Sequence, residues 1–325
     1  MKRSVRDKPT IVFLDSESVD YGDISFRALE RTGLFKACRG TTPRNILSRT
    51  KDADVIIANK VVIDKELLGK LSRAKLVQVA ATGVNNVDLD AARHAGIAVS
   101  NVGGYSTEIV SQCTFAFILA LAGNLIAYTG VSRRLWSRSR FFSLPIFPIR
   151  ELQGKTLGIV GYGRIGRRVK SIAETFRMRV LIAKLPGRRY PPSESVKRLP
   201  LARLARRVDF LTIHSALTDK TRHLIDEKIL RLLPRGAYLI NMARGDLVSE
   251  RALCSALKNG RLAAAASDVL SEEPPDRDHI LLKAPNFYLT PHIAWASREA
   301  RGRLIDEMAG NISAFMSGKK RNRVL

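Results

Sequence analysis

Six short β-rich runs recur through the second half of the chain: TLGIVG (156–161), RVLIA (179–183), DFLTIH (209–214), AYLINM (237–242), AAASDV (264–269) and NFYLT (286–290), with helix-like sequence between them. Strands that alternate with helices point to a parallel sheet, because parallel neighbours need a crossover long enough to hold a helix. A shorter series of the same kind stands upstream, in TIVFLD (10–15), ADVIIAN (53–59), KLVQVA (75–80) and GIAVSN (96–101). From Ser106 a long helical run intervenes, in which TFAFILALAGNLIAY (114–128) reads as a buried helix, followed by the Pro-rich loop FFSLPIFPIRELQGK (141–155). The C-terminal segment 297–318 reads as a helix with Leu304, Ile305, Met308, Ile312 and Phe315 on its apolar side, able to return to the first series. A chain of 325 residues suits two α/β domains rather than one core.

Several classes are excluded. The longest apolar run is interrupted by Gly123 and Asn124, short of what a membrane span requires. The N-terminus MKRSVRDKP is basic and leads directly into TIVFL without an apolar signal core, so a cytoplasmic location is expected. Cys38, Cys113 and Cys254 are scattered and odd in number, which argues against a disulfide framework or a metal site. The net charge of +25, with 37 arginines among the 55 basic residues, speaks to anion steering rather than to fold. No helix-turn-helix, zinc finger or aromatic-basic motif accompanies it, so nucleic-acid contact is not favoured.

The turn GYGRIG, Gly161 to Gly166, follows the first strand of the second series and opens a helix. There Gly161 makes a tight turn, Gly163 lets backbone approach a pyrophosphate and Gly166 lets the helix pack closely, the pattern of dinucleotide binding in a Rossmann-like sheet. The next strand ends at Lys184, where such folds carry an acid for the adenosine ribose hydroxyls. Lysine cannot accept those bonds, but with Arg188 and Arg189 it can neutralise a 2′-phosphate. The cofactor expected is therefore NADP(H) or NAD(H), tilted toward NADP(H); the plainer alternative is a solvated basic loop.

Three polar stretches follow later strands: NMARGDLVSE (241–250), SDVLSEEP (267–274) and TPHIAWASREAR (290–301). Carboxyl ends of parallel strands form the ligand crevice, so Arg244, Glu273 and His292 are expected to converge. Histidine exchanges a proton near neutral pH, a neighbouring carboxylate favours imidazolium and arginine grips a carboxylate bidentately. That trio suits reduction of a 2-oxo acid.

From GVNNVDLDAARHAGIAVSNVGGYSTEIV (83–110) through GIVGYGRIGRRV and LINMARGDLVSERAL to PHIAWASREAR, the chain resembles the D-isomer-specific 2-hydroxyacid dehydrogenases. The segments NKVVID (59–64), AATGVNNVDLDAA (80–92), ELQGKTLGIVGYG and HIAWASREAR are most similar to the glycerate dehydrogenase, or hydroxypyruvate reductase, branch. The resemblance implies hydride transfer between a nicotinamide and a small 2-oxo or 2-hydroxy acid. It makes Arg244 the substrate-polarising group, His292 the acid and base, and Glu273 its partner. It assigns Gly161, Tyr162, Gly163, Arg164, Ile165, Gly166, Lys184, Arg188, His214, Thr221, Met242, Ala243 and Asp268 to the cofactor, Asp268 near the nicotinamide carboxamide. To the substrate it assigns Lys60, the backbone at Ala81, Thr82, Gly83 and Val84, Arg244 and Trp295.

The fold implied is α/β with two Rossmann-like parallel-sheet domains. One is a flavodoxin-like substrate domain of residues 1–101 plus 292–325, the other a dinucleotide-binding domain of 102–291. A closing cleft and a homodimer built on the cofactor domain are implied as well. Cys113 stands where the branch usually has histidine, Ser215 and Ala216 where a proline is common, and Met242 where threonine is common. A catalytically quiet binding protein on the same fold is the alternative, and it has no chemical need for Arg244, Glu273 and His292 together.

Overall fold

The computed structural model describes residues 8–191 and 195–325; the basic N-terminal stretch 1–7 lies outside them. The chain divides into two compact units, the first reaching Ser106 and taking in Trp295–Leu325, the second Thr107–Ala294.

The sheet of the first unit has five parallel strands: β1 (Thr10–Phe13), β2 (Leu34–Ala37), β3 (Val55–Ala58), β4 (Leu76–Val79) and β5 (Ala98–Ser100). Their order, β2-β1-β3-β4-β5, is the flavodoxin-like one. β3 and β4 are buried on both faces, which is why they read as continuous apolar runs. Strand β2 was not among the runs anticipated. LFKA is an edge strand with a lysine and mostly exposed side chains, so neither alternation nor apolarity marks it.

The helix Arg298–Met316 belongs to this unit and buries Leu304, Ile305, Met308 and Ile312, as anticipated, whereas Phe315, expected on the same side, is only half-buried. It also buries Arg301, whose guanidinium meets both carboxylate oxygens of Asp23 at 2.6 and 2.7 Å. Such bidentate pairing is what permits a cation on an otherwise apolar helix face.

The second unit holds seven parallel strands: β6 (Thr156–Val160), β7 (Arg179–Lys184), β8 (Arg198–Pro200), β9 (Phe210–Ile213), β10 (Ala237–Asn241), β11 (Leu262–Ser267) and β12 (Phe287–Leu289). The order β12-β11-β10-β9-β6-β7-β8 reverses direction between β6 and β9, so a crevice opens at the carboxyl ends of those two strands. Six strands were expected. The seventh, β8, is the three-residue edge Arg-Leu-Pro, too short to show a period and closed by a proline that an edge tolerates.

The run read as one buried helix over 114–128 is two helices, Thr107–Ala122 and Leu125–Leu135, bent by 50° at the break. Asn124 takes φ 49°, a left-handed conformation that asparagine tolerates and that a continuing helix cannot contain. The first helix buries Phe115, Ile118 and Leu121 against the sheet, whereas the second buries no residue. Among the described residues no single helix is long and apolar enough to cross a membrane.

Candidate active site

The glycine turn shows which of its residues the protein itself requires. Gly161 has φ 101°, and a side-chain carbon on it would stand 2.5 Å from the backbone of His214 and Ser215. A carbon on Gly166 would lie 2.2 Å from the carbonyl oxygen of Gly161. Gly163 differs, since a carbon there would meet none of the described residues within 4 Å. The helix Arg164–Thr175 that follows has no side-chain cap and no acid in its own first turn, which leaves its positive end suited to an anion. A tight turn, bare backbone at Gly163 and a helix N-terminus fit the pyrophosphate of a nicotinamide dinucleotide. Around them Arg164 is exposed, Ile165 packs on the core and the Arg167 guanidinium lies 5.0 Å from the Tyr162 ring centroid.

Lys184 is the exposed last residue of β7 and pairs in register with Pro200 of β8. In the turn beyond it the amide of Leu185 donates to Tyr190 Oη at 2.9 Å. The Arg198 guanidinium lies 3.9 Å from the Tyr190 ring centroid and that of Arg188 5.7 Å away, both at cation–π range. Gly187, at φ 68°, runs against the aliphatic stem of Lys220, where an added carbon would be 2.5 Å from Cδ. The turn thus gathers Lys184, Arg188, Arg198 and Lys220, with exposed Arg189 beside them. Arg198 and Lys220 escaped sequence reasoning because sheet order and a distant loop, not chain proximity, bring them to this turn; Tyr190, next to Arg189, carries no charge to mark it.

At the end of β9, His214 Nε2 lies 3.0 Å from Thr212 Oγ1, while Nδ1 is buried and has no hydrogen-bond partner among the described residues. Burial holds this imidazole neutral, its pKa lowered to about 3. The Thr221 hydroxyl donates to the Ala216 carbonyl at 2.9 Å and accepts from the Thr218 amide at 2.8 Å, bracing the loop in which Ser215 and Ala216 stand. Met242 is buried in the core beside the sheet, and Cys113 packs half-buried on the same cluster, its thiol pushed up by burial.

The loops after β10 and β11 carry Arg244 and Glu273. Asn241 ties its own loop, donating from Nδ2 to the Arg244 carbonyl at 2.8 Å and accepting from the Ala243 amide at 3.1 Å. Arg244 Nη1 donates to the Ala243 carbonyl at 2.7 Å. The next residue, Gly245, presses its backbone on the loop carrying Glu273, since a side-chain carbon there would fall 1.9 Å from the Leu270 carbonyl carbon. Glu273 Oε1 accepts from the Leu270 amide at 2.9 Å, and its Oε2 lies 2.6 Å from His292 Nδ1.

His292 itself is held at φ 54°, which costs free energy for a residue with a Cβ and needs support from its surroundings. Its amide donates to the carbonyls of Asp268 and Thr290 at 2.8 and 2.9 Å. The buried Asp268 carboxylate accepts from Thr290 Oγ1 at 2.6 Å, the Ile293 amide at 2.9 Å and the Ala294 amide at 2.8 Å. Asp268, expected at the nicotinamide carboxamide, braces the loop that presents His292.

In the first unit the loop after β4 carries Ala81, Thr82, Gly83 and Val84. Its fixings are the Thr82 hydroxyl on the Val102 carbonyl, Asn101 Nδ2 on the Thr82 carbonyl, both at 2.7 Å, and the Val102 amide on Ala81 at 2.9 Å. Lys60 is exposed after β3, its amide bound by the buried Asp15 carboxylate at 2.6 Å together with the amides of Asn59 and Val61. Asp15 was not singled out from sequence, because an acid at the end of a β-rich run is ordinary until folding brings donors to it. Trp295 is half-buried at the head of this unit's C-terminal part.

A family model described as the NAD binding domain of D-isomer specific 2-hydroxyacid dehydrogenases matches residues 115–294. The chain is 37% identical over 318 residues to a glycerate dehydrogenase of Methylorubrum extorquens, covering 97% of this chain and 98% of that one. It is 33% identical to a hydroxypyruvate reductase of Blautia hydrogenotrophica, covering 97% and 99%. Among solved structures, an NADPH-dependent glyoxylate/hydroxypyruvate reductase of Sinorhizobium meliloti in complex with NADP and malonate superposes with a TM-score of 0.82, at 27% identity over 98% of this chain and 97% of that one.

Proposed function

Because the chain belongs to the D-isomer-specific 2-hydroxyacid dehydrogenase family, we propose that it interconverts a small 2-oxo acid, hydroxypyruvate or glyoxylate, and its 2-hydroxy acid with a nicotinamide cofactor. The observation that carries this reading is the 2.6 Å pairing of Glu273 with His292 Nδ1 on two loops fastened at Gly245 and Asp268. With Nδ1 committed to the carboxylate, Nε2 is the nitrogen that exchanges a proton with the substrate oxygen. Arg244 pairs with the substrate carboxylate and polarises the carbonyl. Bound nicotinamide supplies the hydride for C2 in reduction and accepts it in oxidation. The proton from His292 completes the alcohol, so one 2-oxo acid, one hydride and one proton give one 2-hydroxy acid. Glu273 keeps the ring oriented while its charge changes.

The cations gathered at Lys184, Arg188, Arg198 and Lys220 support NADP(H) as the preferred form, since a 2′-phosphate needs opposing charge where a 2′-hydroxyl needs an acceptor. Exposed Leu119, Leu125, Ile126, Trp136, Phe141 and Phe142 on the second unit support a homodimer, in which this apolar surface is covered. Free Cys38, Cys113 and Cys254 suit a reducing cytoplasm. The test is oxidation of NADPH and NADH with hydroxypyruvate, glyoxylate and larger 2-oxo acids. Turnover is expected with the small acids, and His292→Ala lowers it by about 10²- to 10⁴-fold. No turnover of any acid with either cofactor, or an unimpaired His292→Ala, defeats this reading.

A further inference from the structure

Behind the loop that carries Glu273 lies a second polar cluster that the chemistry above does not use. Glu250 is the first residue of the helix Glu250–Lys258. Its Oε1 accepts from the Ser271 amide at 2.9 Å, and its Oε2 accepts from the Ser271 hydroxyl at 2.7 Å and lies 3.0 Å from His279 Nε2. The Glu250 and His279 side chains are only 16% and 11% exposed, unlike the i,i+4 pairs Lys70–Glu66 and Arg231–Glu227, in which every side chain is more than half exposed. Both oxygens of a shielded carboxylate are thus spent on one loop residue and one histidine.

Ser271 adjoins Leu270, and the Leu270 amide is the group that holds Glu273 Oε1. The contacts therefore run from the helix through Glu250, Ser271 and Leu270 to Glu273, and from Glu273 to His292 Nδ1. Gly245 adds a wall on the same two residues, its backbone too close to Leu270 and Ser271 for any side chain. A loop fixed at one end by charge and along its length by backbone contact presents its carboxylate in one place, which the 2.6 Å pairing with His292 Nδ1 requires.

We propose that Glu250, steadied by His279, is a positioning residue for the Glu273–His292 pair, acting through Ser271 and Leu270 rather than through substrate or cofactor. This rests on the dehydrogenase reading for its kinetic consequence, but its geometric consequence is independent of it. A surface acid at a helix start would contribute to stability alone through the helix dipole. A positioning acid does something that can be separated from stability.

The decisive experiment is a double-mutant cycle between Glu250→Ala and Glu273→Ala in the full-length protein, with 2-oxo acid turnover per folded molecule as the readout. In the native background Glu250→Ala is expected to lower kcat about tenfold with the KM for NADPH unchanged, whereas with Glu273 already removed it costs less than about twofold. Glu250→Gln, which keeps an acceptor for the Ser271 amide, is expected to recover part of the loss and guards against a variant that fails to fold. A second readout needs no substrate: the ¹⁵N chemical shift of His292 Nδ1 reports its hydrogen bond to Glu273 and is expected to move in Glu250→Gln toward its value in Glu273→Ala. Equal losses of kcat in both backgrounds, or an Nδ1 shift identical to wild type, would overturn the assignment. A wild-type protein that turns over no 2-oxo acid defeats the dehydrogenase reading instead, and the Nδ1 shift then decides the positioning role.

Discussion

Replacing Asp268 by asparagine isolates what a buried carboxylate does for the loop that presents His292, the proposed acid and base. The side chain is 3% exposed and accepts three hydrogen bonds, two on Oδ1 from Thr290 Oγ1 and the Ile293 amide and one on Oδ2 from the Ala294 amide. An amide of the same shape has one acceptor oxygen. Oriented to keep the Oδ1 pair, it turns an N–H donor against the N–H of Ala294. One charge-assisted bond is lost and one buried donor is stranded, about 3–5 kcal/mol together. For a domain of this size that is a fall in melting temperature of roughly 10 °C. Because the same loop holds His292 in its left-handed conformation, relaxation displaces the imidazole, and a displacement of an ångström costs on the order of 10²-fold in kcat. The assays are thermal melting, kcat with hydroxypyruvate and titration of NADPH binding. The expected pattern is a lower melting temperature and kcat with NADPH affinity within about twofold of wild type. An unchanged melting temperature with weakened NADPH binding would refute the loop-clamp argument and return Asp268 to the nicotinamide.

Lys184→Glu removes one cation from the β7 turn and supplies an acceptor for a ribose hydroxyl, so the ratio of kcat/KM for NADPH over NADH is expected to fall by about 10- to 100-fold, with Lys220→Ala giving a smaller fall in the same direction; unchanged ratios would leave these residues as general basic surface. Gly245→Ala cannot be accommodated against the Leu270 and Ser271 backbone and is expected to abolish turnover even where circular dichroism shows a folded chain. His214 stays neutral in the folded protein to about pH 3 but takes a proton near pH 6.5 when unfolded. The unfolded state therefore binds more protons below that value, and stability falls with pH by up to about 1.4 kcal/mol per unit between pH 6.5 and 3. Melting curves from pH 7 to 5 should show this slope, and His214→Asn should flatten it.

The long apolar strands β3, β4, β6, β9 and β10 announced themselves because a parallel sheet buried on both faces needs unbroken apolar runs. Edge strands β2 and β8 obey no such demand, and LFKA and RLP carry no period to read. Gly161, Arg244, Glu273 and His292 could be picked out because their residue types are unusual for their places after strands. Asp15 and Glu250 could not, since each is an ordinary acid whose work becomes visible only when folding brings three donors to it. The helix break at Asn124 lay in plain view in GN, yet the apolar run on both sides outweighed it.

The three glycines of the turn have unequal histories ahead of them. Gly161 and Gly166 are enclosed by the protein's own backbone, so any descendant that keeps this fold must keep them whether or not it retains a coenzyme. Gly163 faces open space and is constrained only by what would lie against it. In a lineage that abandoned its coenzyme, that middle position would be the first to drift, while the outer pair persisted as a fossil of packing. Recognition of the motif by its outer glycines alone therefore registers ancestry, and the residue at the middle position registers use.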